Sequence, residues 1–373
     1  LTSHIGSLAA YGWDETLESS FTEHRASGLV PARVIAVDRG RCDAATADGV
    51  VRATVTAAPG TTRSGRPPES DGPDPAAPCT GDWAALRPDG PDGLPAVAAV
   101  LPRRTAIIRG SAGDAARPQV LAANVDTVAV IVALSTRLAL GRVERLVALG
   151  WESGARPAVI LTQADLHPDP GEALAEVAAA APGIDVVACS AATGDGIDTV
   201  RAVLTGTVVL IGPSGAGKST LGNALLGGDP AAGPLATGAV RAGDGKGRHT
   251  TVRRELLPLP GGGVLIDTPG LRGVGLFDAA DGLRRAFTDI EELAAACRFA
   301  DCGHATEPGC AVLAAVDDGT LPARRLDSYR RLQRENDWIA SRADARLRAE
   351  RENRWKSIRK AQRRMYREQG RDR

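Results

Sequence analysis

Two clusters of residues have the types and spacing for chemistry. Val208-Val209-Leu210-Ile211 runs into Gly212-Pro213-Ser214-Gly215-Ala216-Gly217-Lys218-Ser219-Thr220. That is G-x-x-x-x-G-K-S between a strand-like and a helix-like stretch, the setting of a phosphate-binding loop. Glycines let backbone N–H groups curl around a β-phosphate, and the helix N-terminus adds about half a positive charge. Lys218 is placed to bridge β- and γ-phosphates and Ser219 to ligate Mg²⁺. A ligand-free turn gives no packing reason for Lys-Ser on the first helical turn. In the second cluster, Cys297, Cys302, His304 and Cys310 fall within fourteen positions. Three thiolates and an imidazole suit one closed, structural Zn²⁺. Disulfides compete, but a His interleaved among the thiols argues against them. Cys42, Cys79 and Cys189 read as ordinary free thiols.

Asp267-Thr268-Pro269-Gly270 follows Val264-Leu265-Ile266, about fifty residues after the phosphate loop. An Asp ending a hydrophobic strand is a Mg²⁺ partner of the Walker-B kind, and Gly270 can offer its N–H to a γ-phosphate. A guanine reader needs a carboxylate for N1–H and the 2-amino group together. Thr162-Gln163-Ala164-Asp165 supplies one after a buried strand. Ser190-Ala191, after the next strand, can present a backbone N–H to the guanine O6. Each lies at the C-terminal end of a strand, where parallel sheets bind ligands. Asp165 and Ser190 precede Gly212, whereas ordinary GTPases place the base readers after the phosphate loop. Sheets close by strand pairing and not by chain order, so a permuted chain assembles the same site. The segment after Gly270 then runs directly into the C-terminal part, where loss of γ-phosphate can move it.

These motifs need positioning elements. Residues 1–28 carry few signals, and Tyr11, Gly12, Trp13 and Asp14 fall in an N-terminal arm. From Leu29 three strands follow with turns at Asp38-Arg39-Gly40 and Asp48-Gly49. Ala58–Pro78, with six Pro and no periodic apolar residues, reads as a flexible insertion. Strands resume near Trp83, at Ala96–Leu101 and at Arg104–Arg109. About five short strands over 29–119 suit a closed barrel of the oligonucleotide-binding type (OB-fold), with a small β sandwich as alternative. From 120 to 282, strands and helices alternate, which predicts a parallel α/β domain with helices on both faces. Its helices are expected at Leu140–Ser153, Glu172–Ala181, Gly196–Leu204 and Lys218–Leu226, and its strands include Pro157–Thr162 and Ile184–Ala188. Residues 283–373 form a helical zinc-binding part with a basic tail.

The 373 residues are 43% hydrophobic and 24% charged, a folded composition of two to three domains. No apolar run reaches eighteen residues and no secretory signal opens the chain, so a cytoplasmic protein without a membrane span is expected. The net charge of zero hides an asymmetry: residues 324–373 hold 18 basic and eight acidic side chains. Only four of the 45 basic residues are Lys, so the abundance of Arg alone is weak evidence for RNA. Trp338 and Trp355 on that stretch fit either a solvated Arg-rich helix or contact with RNA phosphates.

With these motifs, Leu121-Ala122-Ala123-Asn124-Val125-Asp126 and Gly247-Arg248-His249-Thr250-Thr251 in hand, the chain resembles the circularly permuted small-ribosomal-subunit biogenesis GTPases, the RsgA (YjeQ) family. The resemblance covers nearly the whole chain. It implies an OB-fold barrel, a permuted P-loop GTPase domain and a zinc domain. It also implies a monomer that binds the small (30S) ribosomal subunit and 16S rRNA in late assembly, with GTP hydrolysis stimulated there and driving release of the GDP form from the subunit. The base motif departs from the family's N-K-x-D: Thr162 replaces Asn and loses amide contacts, Gln163 replaces the Lys that covers the base, and Asp165 is kept. The 247–251 stretch occupies the place of a first switch, where Thr250 or Thr251 completes the Mg²⁺ shell. Leu271 follows Gly270 where Ras-like enzymes carry a water-orienting Gln nearby, which leaves His249 as the candidate to position water. An ATP-using P-loop enzyme, or an RNA-binding assembly protein with a structural nucleotide, are the alternatives.

Overall fold

Val30–Asp38 (β1), Arg41–Thr46 (β2), Gly49–Thr54 (β3), Trp83–Arg87 (β4) and Ala96–Val100 (β5) close into a barrel in the order β1-β2-β3-β5-β4. The two tight turns join β1 to β2 and β2 to β3 as the sequence predicts, and Gly49 takes a φ of 123° that favours glycine. All neighbours are antiparallel except β3 and β5, which meet in parallel at Thr54 and Ala96. Closure removes the sandwich alternative. The structure, a computed structural model, describes residues 8–55, 77–90, 93–109, 119–229, 234–235, 254–267 and 279–343. Most of the Pro-rich 58–78 stretch lies outside them.

One expectation for this region changes. The Arg104–Arg109 run does not enter the barrel. Ala106–Arg109 (β6) pairs with Gln119–Ala123 (β7) as a separate antiparallel ribbon. The chain is drawn there by Asn124, whose Oδ1 accepts from the Arg104 N–H at 3.0 Å and whose own N–H donates to the Thr105 carbonyl at 2.8 Å. The N-terminal arm, which carries few signals in the sequence, holds two short helices. Asp14 caps a helix at Glu15–Ser20 (α1), accepting from the Leu17 N–H at 2.8 Å, and Thr22–Ala26 (α2) follows. Trp13 and Phe21 are buried, and Trp13 meets Trp83 edge-on at 4.9 Å between centroids.

Thr127–Ala133 (β8), Arg156–Thr162 (β9), Val186–Ala188 (β10), Thr207–Ile211 (β11), Glu255–Pro258 (β12) and Val264–Asp267 (β13) form one sheet in the order β10-β9-β8-β11-β13-β12. All pairs are parallel except β12 with β13. Residues of β8 alternate between two cores, Val128 and Val130 on one face, Ala129 and Ile131 on the other. A strand covered on both faces has no polar side, which is why its sequence reads as one apolar run. Leu140–Glu152 (α3), Pro170–Ala180 (α4), Ile197–Val203 (α5) and Lys218–Leu225 (α6) connect the strands.

Barrel and sheet share a buried joint. Arg33 of β1 lies 4.6 Å over the Trp83 ring and donates to Thr207 Oγ1 at 3.0 Å. Burial lowers its pKa to about 10, opposed by Asp126 and Asp82. The 121–126 motif serves the same joint. Asn124 Nδ2 donates to the Gly81 carbonyl at 3.1 Å, and Asp126 Oδ2 accepts the Thr207 N–H at 2.7 Å, where β11 begins.

Ala280–Ala286 (α7), Thr288–Ala294 (α8), Ala311–Asp317 (α9) and Ala323–Ala343 (α10) complete the chain. α7 crosses α3 so closely that a Cβ on Gly282 would sit 2.2 Å from the Ala148 carbonyl oxygen. Among the described residues no helix is long and apolar enough to cross a membrane.

Candidate functional site

The phosphate loop leaves β11 and turns into α6 as the motif requires. Gly212 has φ +149°, and a Cβ there would meet the Ile131 carbonyl oxygen at 2.4 Å, so the backbone lies directly against β8. Gly215 and Gly217 take φ of +79° and +80°, which curls the loop and brings Gly217 to the head of α6. Pro213, Ser214, Ala216, Ser219 and Thr220 complete the loop and the first helical turn. The Lys218 ammonium donates to the Gly212 and Pro213 carbonyls at 2.9 and 2.6 Å. Asp267 ends β13, the strand beside β11. Burial raises its carboxyl pKa, Lys218 opposes that rise, and Glu255 of β12 adds to it.

The loops expected to read the base stand at the same strand ends. Thr162 closes β9, and its buried hydroxyl donates to the Ala216 carbonyl at 2.7 Å. Thr162 thus gives this loop a hydroxyl bridge to the phosphate loop. Gln163 sits at φ 59°, donates from Nε2 to the Gly215 carbonyl at 3.3 Å and accepts from the Ser135 hydroxyl. Ala164 and Asp165 enter a short 3₁₀ turn, with Asp165 exposed. The Ala164 N–H donates to the Cys189 carbonyl at 3.1 Å, which ties this loop to the next. Ser190 is buried and spends its own N–H on the Asp195 carbonyl at 2.9 Å. Among the described residues the Ala191 N–H has no acceptor. Ser135 carried no motif in the sequence. Its position beyond the end of β8, between β9 and β11, is the signal that would have found it.

The structure thus brings together the 212–220 loop, Thr162–Asp165, Ser190, Ala191 and Asp267. His249, Thr250, Thr251 and Gly270 lie outside the described residues.

Cys297, Cys302, His304 and Cys310 place their ligand atoms within 4.8 Å of one another. Cys297 Sγ lies 3.8 Å from Cys310 Sγ and 3.6 Å from His304 Nδ1, and Cys310 Sγ lies 3.4 Å from that nitrogen. A tetrahedral ion with M–S near 2.3 Å and M–N near 2.0 Å separates its ligands by about 3.5–3.8 Å, so the set fits a metal. Cys310 is the N-cap of α9. Glu307, which sequence reasoning missed, organises the intervening loop. It accepts from the N–H groups of Gly303, Ala305 and Thr306 at 3.1, 2.7 and 2.9 Å. Its carboxyl pKa is pulled down to about 2, first by its own backbone N–H and then by those of Ala305 and Thr306.

A family model, RsgA GTPase, matches residues 100–277. The small ribosomal subunit biogenesis GTPase RsgA of Streptomyces coelicolor is 52% identical over 346 residues, 91% of this chain and 89% of that protein. Its counterpart from Opitutus terrae is 43% identical over 375 residues, 98% of this chain and 99% of that one. Among solved structures, YjeQ from Thermotoga maritima superposes with a TM-score of 0.59 at 22% identity, over 83% of this chain and 98% of its own. YloQ, described as a circularly permuted GTPase, superposes at 0.55 and 23% identity, over 83% and 95%.

Proposed function

This chain belongs to the RsgA family of small ribosomal subunit biogenesis GTPases, and from that premise we propose a nucleotide cycle run by the site above. The observation that carries it is the meeting of four strand ends. β9, β10, β11 and β13 deliver the base readers, the phosphate loop and Asp267 to one edge of the sheet. In this reading Asp165 accepts from N1–H and the 2-amino group of guanine, and Ala191 donates to O6. The N–H groups of Gly212–Lys218 cradle the phosphates, and the Lys218 ammonium leaves the loop carbonyls for the β- and γ-oxygens. Ser219, Asp267 and Thr250 or Thr251 would hold Mg²⁺, which would supply positive charge against the charge developing on the phosphate oxygens. Gly270 donates to the γ-phosphate and His249 orients the attacking water. The Cys₃His set holds one structural Zn²⁺.

The cycle follows from connectivity. Asp267 and Gly270 lie just ahead of α7, and α7 packs on α3. Loss of γ-phosphate therefore pulls on the C-terminal helices, which would contact rRNA together with the barrel. The GTP form binds the 30S subunit, the subunit triggers hydrolysis, and the GDP form leaves. A monomer acting in the cytoplasm fits this cycle.

The test is phosphate release from GTP and from ATP, each with and without small ribosomal subunits at fixed salt. Stimulation with GTP alone is the expected result. Turnover of GTP without stimulation would remove the ribosomal trigger. Equal use of ATP would remove the role of Asp165.

A further inference from the structure

Two successive carbonyls of the phosphate loop are held from the side of the base motif. The Thr162 hydroxyl donates to the Ala216 carbonyl at 2.7 Å, and Gln163 Nε2 donates to the Gly215 carbonyl at 3.3 Å. The two loops touch directly: a Cβ on Gly217 would stand 3.4 Å from Thr162 Oγ1 and 3.8 Å from Gln163 Nε2. A trans peptide points its N–H opposite to its C=O. The N–H groups of Ala216 and Gly217 therefore face away from Thr162 and Gln163. That of Ala216 lies 3.4 Å from the Pro213 carbonyl, inside the curl of the loop.

The two anchors differ in kind. Thr162 is buried, and its branched side chain has little freedom. Gln163 is half-buried on a long side chain, whose rotamer entropy works against a single bond to the loop. The Gly215 carbonyl can be met only by Nε2, which leaves Oε1 on the other side of the amide. The Ser135 hydroxyl donates to that oxygen, so the amide is gripped at both ends. A lysine in the same place has donors only and bonds a carbonyl through a charge, so it needs no such partner. Gln163 also holds a left-handed backbone, φ 59° and ψ 38°, which a residue other than glycine keeps where its surroundings fix it. Ser135 is exposed in the turn after β8 and adds nothing to either core beside that strand.

We infer that Ser135 is a positioning residue for guanine nucleotide binding. Through the Gln163 amide it holds the Gly215 carbonyl, and with it the Ala216 N–H, in the orientation that receives a phosphate oxygen. A hydroxyl–amide chain thus does with neutral groups what a lysine at 163 does with a charge. The inference rests on the reading of Thr162–Asp165 and the phosphate loop as one nucleotide site, and adds to it a residue outside every motif.

The test is a double-mutant cycle on the full chain. Affinity and dissociation rate of a fluorescent GDP analogue with Mg²⁺ are measured for Ser135→Ala, Ser135→Thr, Gln163→Ala and the Ser135→Ala/Gln163→Ala pair. Ser135→Ala should weaken binding about fivefold, chiefly through faster dissociation. Ser135→Thr keeps the hydroxyl and should keep most of the affinity. In the Gln163→Ala background, loss of the Ser135 hydroxyl should cost nothing further, so the two effects are not additive. Thr136→Ala is the control: its hydroxyl donates to the Ala133 carbonyl at 3.2 Å within the same turn, and its loss should leave affinity unchanged. The unfolding midpoint of the nucleotide-free chain should be the same in Ser135→Ala and the unsubstituted protein. The proposal is overturned if Ser135→Ala binds as the unsubstituted chain does, if its full loss persists in the Gln163→Ala background, or if Thr136→Ala weakens binding equally. Failure of the unsubstituted chain to bind the analogue would overturn the reading of the site, and this inference with it.

Discussion

The Thr162 hydroxyl donates to the Ala216 carbonyl at 2.7 Å, so the end of β9 is fastened to the middle of the phosphate loop. The bond is buried and joins residues 54 positions apart. It ties the loop that carries Asp165 to the phosphate loop. Thr162→Val keeps the shape and removes the donor, leaving the Ala216 carbonyl unpaired. A cost of about 1–2 kcal/mol in guanine nucleotide binding is expected, roughly tenfold in affinity. Thr162→Ser should retain most of the affinity. Titration of a fluorescent GDP analogue reads both, and equal affinity for Val and Thr would show that the bridge does not position the base loop.

Much of this site is legible in the sequence because its motifs are local. A strand, six residues of loop and a Lys-Ser on a helix specify their own geometry, and so do four ligands within fourteen positions. What sequence reasoning misses is set by partners far along the chain. Ser135 meets Gln163 only because β8 and β9 are neighbours. The 104–109 segment has strand composition, but Asn124 decides which strand it joins. Trp13 falls in an arm with few sequence signals, and Trp83 supplies its packing surface. Pattern and propensity do not carry such tertiary choices.

Arg325 of α10 is a further long-range partner that no motif announces. It is buried, and its five N–H groups are all used. Nε and Nη2 bind Asp289 at 2.6 and 2.7 Å, Nη1 binds Glu144 Oε1 at 3.1 Å, and the Ala180 and Ala286 carbonyls take the others at 2.8 and 2.9 Å. One guanidinium therefore pins α10 to α3, α4, α7 and α8. Arg325→Met should destabilise the chain by about 3 kcal/mol, because Glu144 stays buried with Arg324 as its remaining ion-pair partner. Arg325→Lys should fare little better, since an ammonium cannot reproduce the planar fork. Adding Glu144→Leu to Arg325→Met should recover part of the loss. Urea unfolding of the four proteins measures this, and equal midpoints for Arg325 and Met would contradict the pin.

The Cys₃His set predicts one zinc per chain by elemental analysis of the purified protein. Cys302→Ser and Cys310→Ser should each lower that content, whereas Cys42→Ser should leave it at one. Structural zinc sites contribute on the order of 10–16 kcal/mol in zinc-finger peptides. Removal by a strong chelator should therefore unfold the 297–317 region while the barrel keeps its circular-dichroism signal. Retention of zinc by Cys310→Ser would point to a different ligand set.

His249 offers the sharpest separation of binding from chemistry. Leu271, the residue after Gly270, has no group to orient water, and His249 sits in the stretch between Lys218 and Asp267 where a first switch belongs. His249→Ala leaves every residue of the phosphate loop and both base-reading loops in place, so GTP and GDP affinities should stay within about twofold. The rate of phosphate release on 30S subunits should fall by about two orders of magnitude or more, within the span over which such enzymes are accelerated by completion in trans. Intrinsic turnover without subunits should change little, since it is already slow. The three measurements together discriminate: weaker GTP binding would make His249 a binding residue, and full stimulation in the variant would move water positioning to another group.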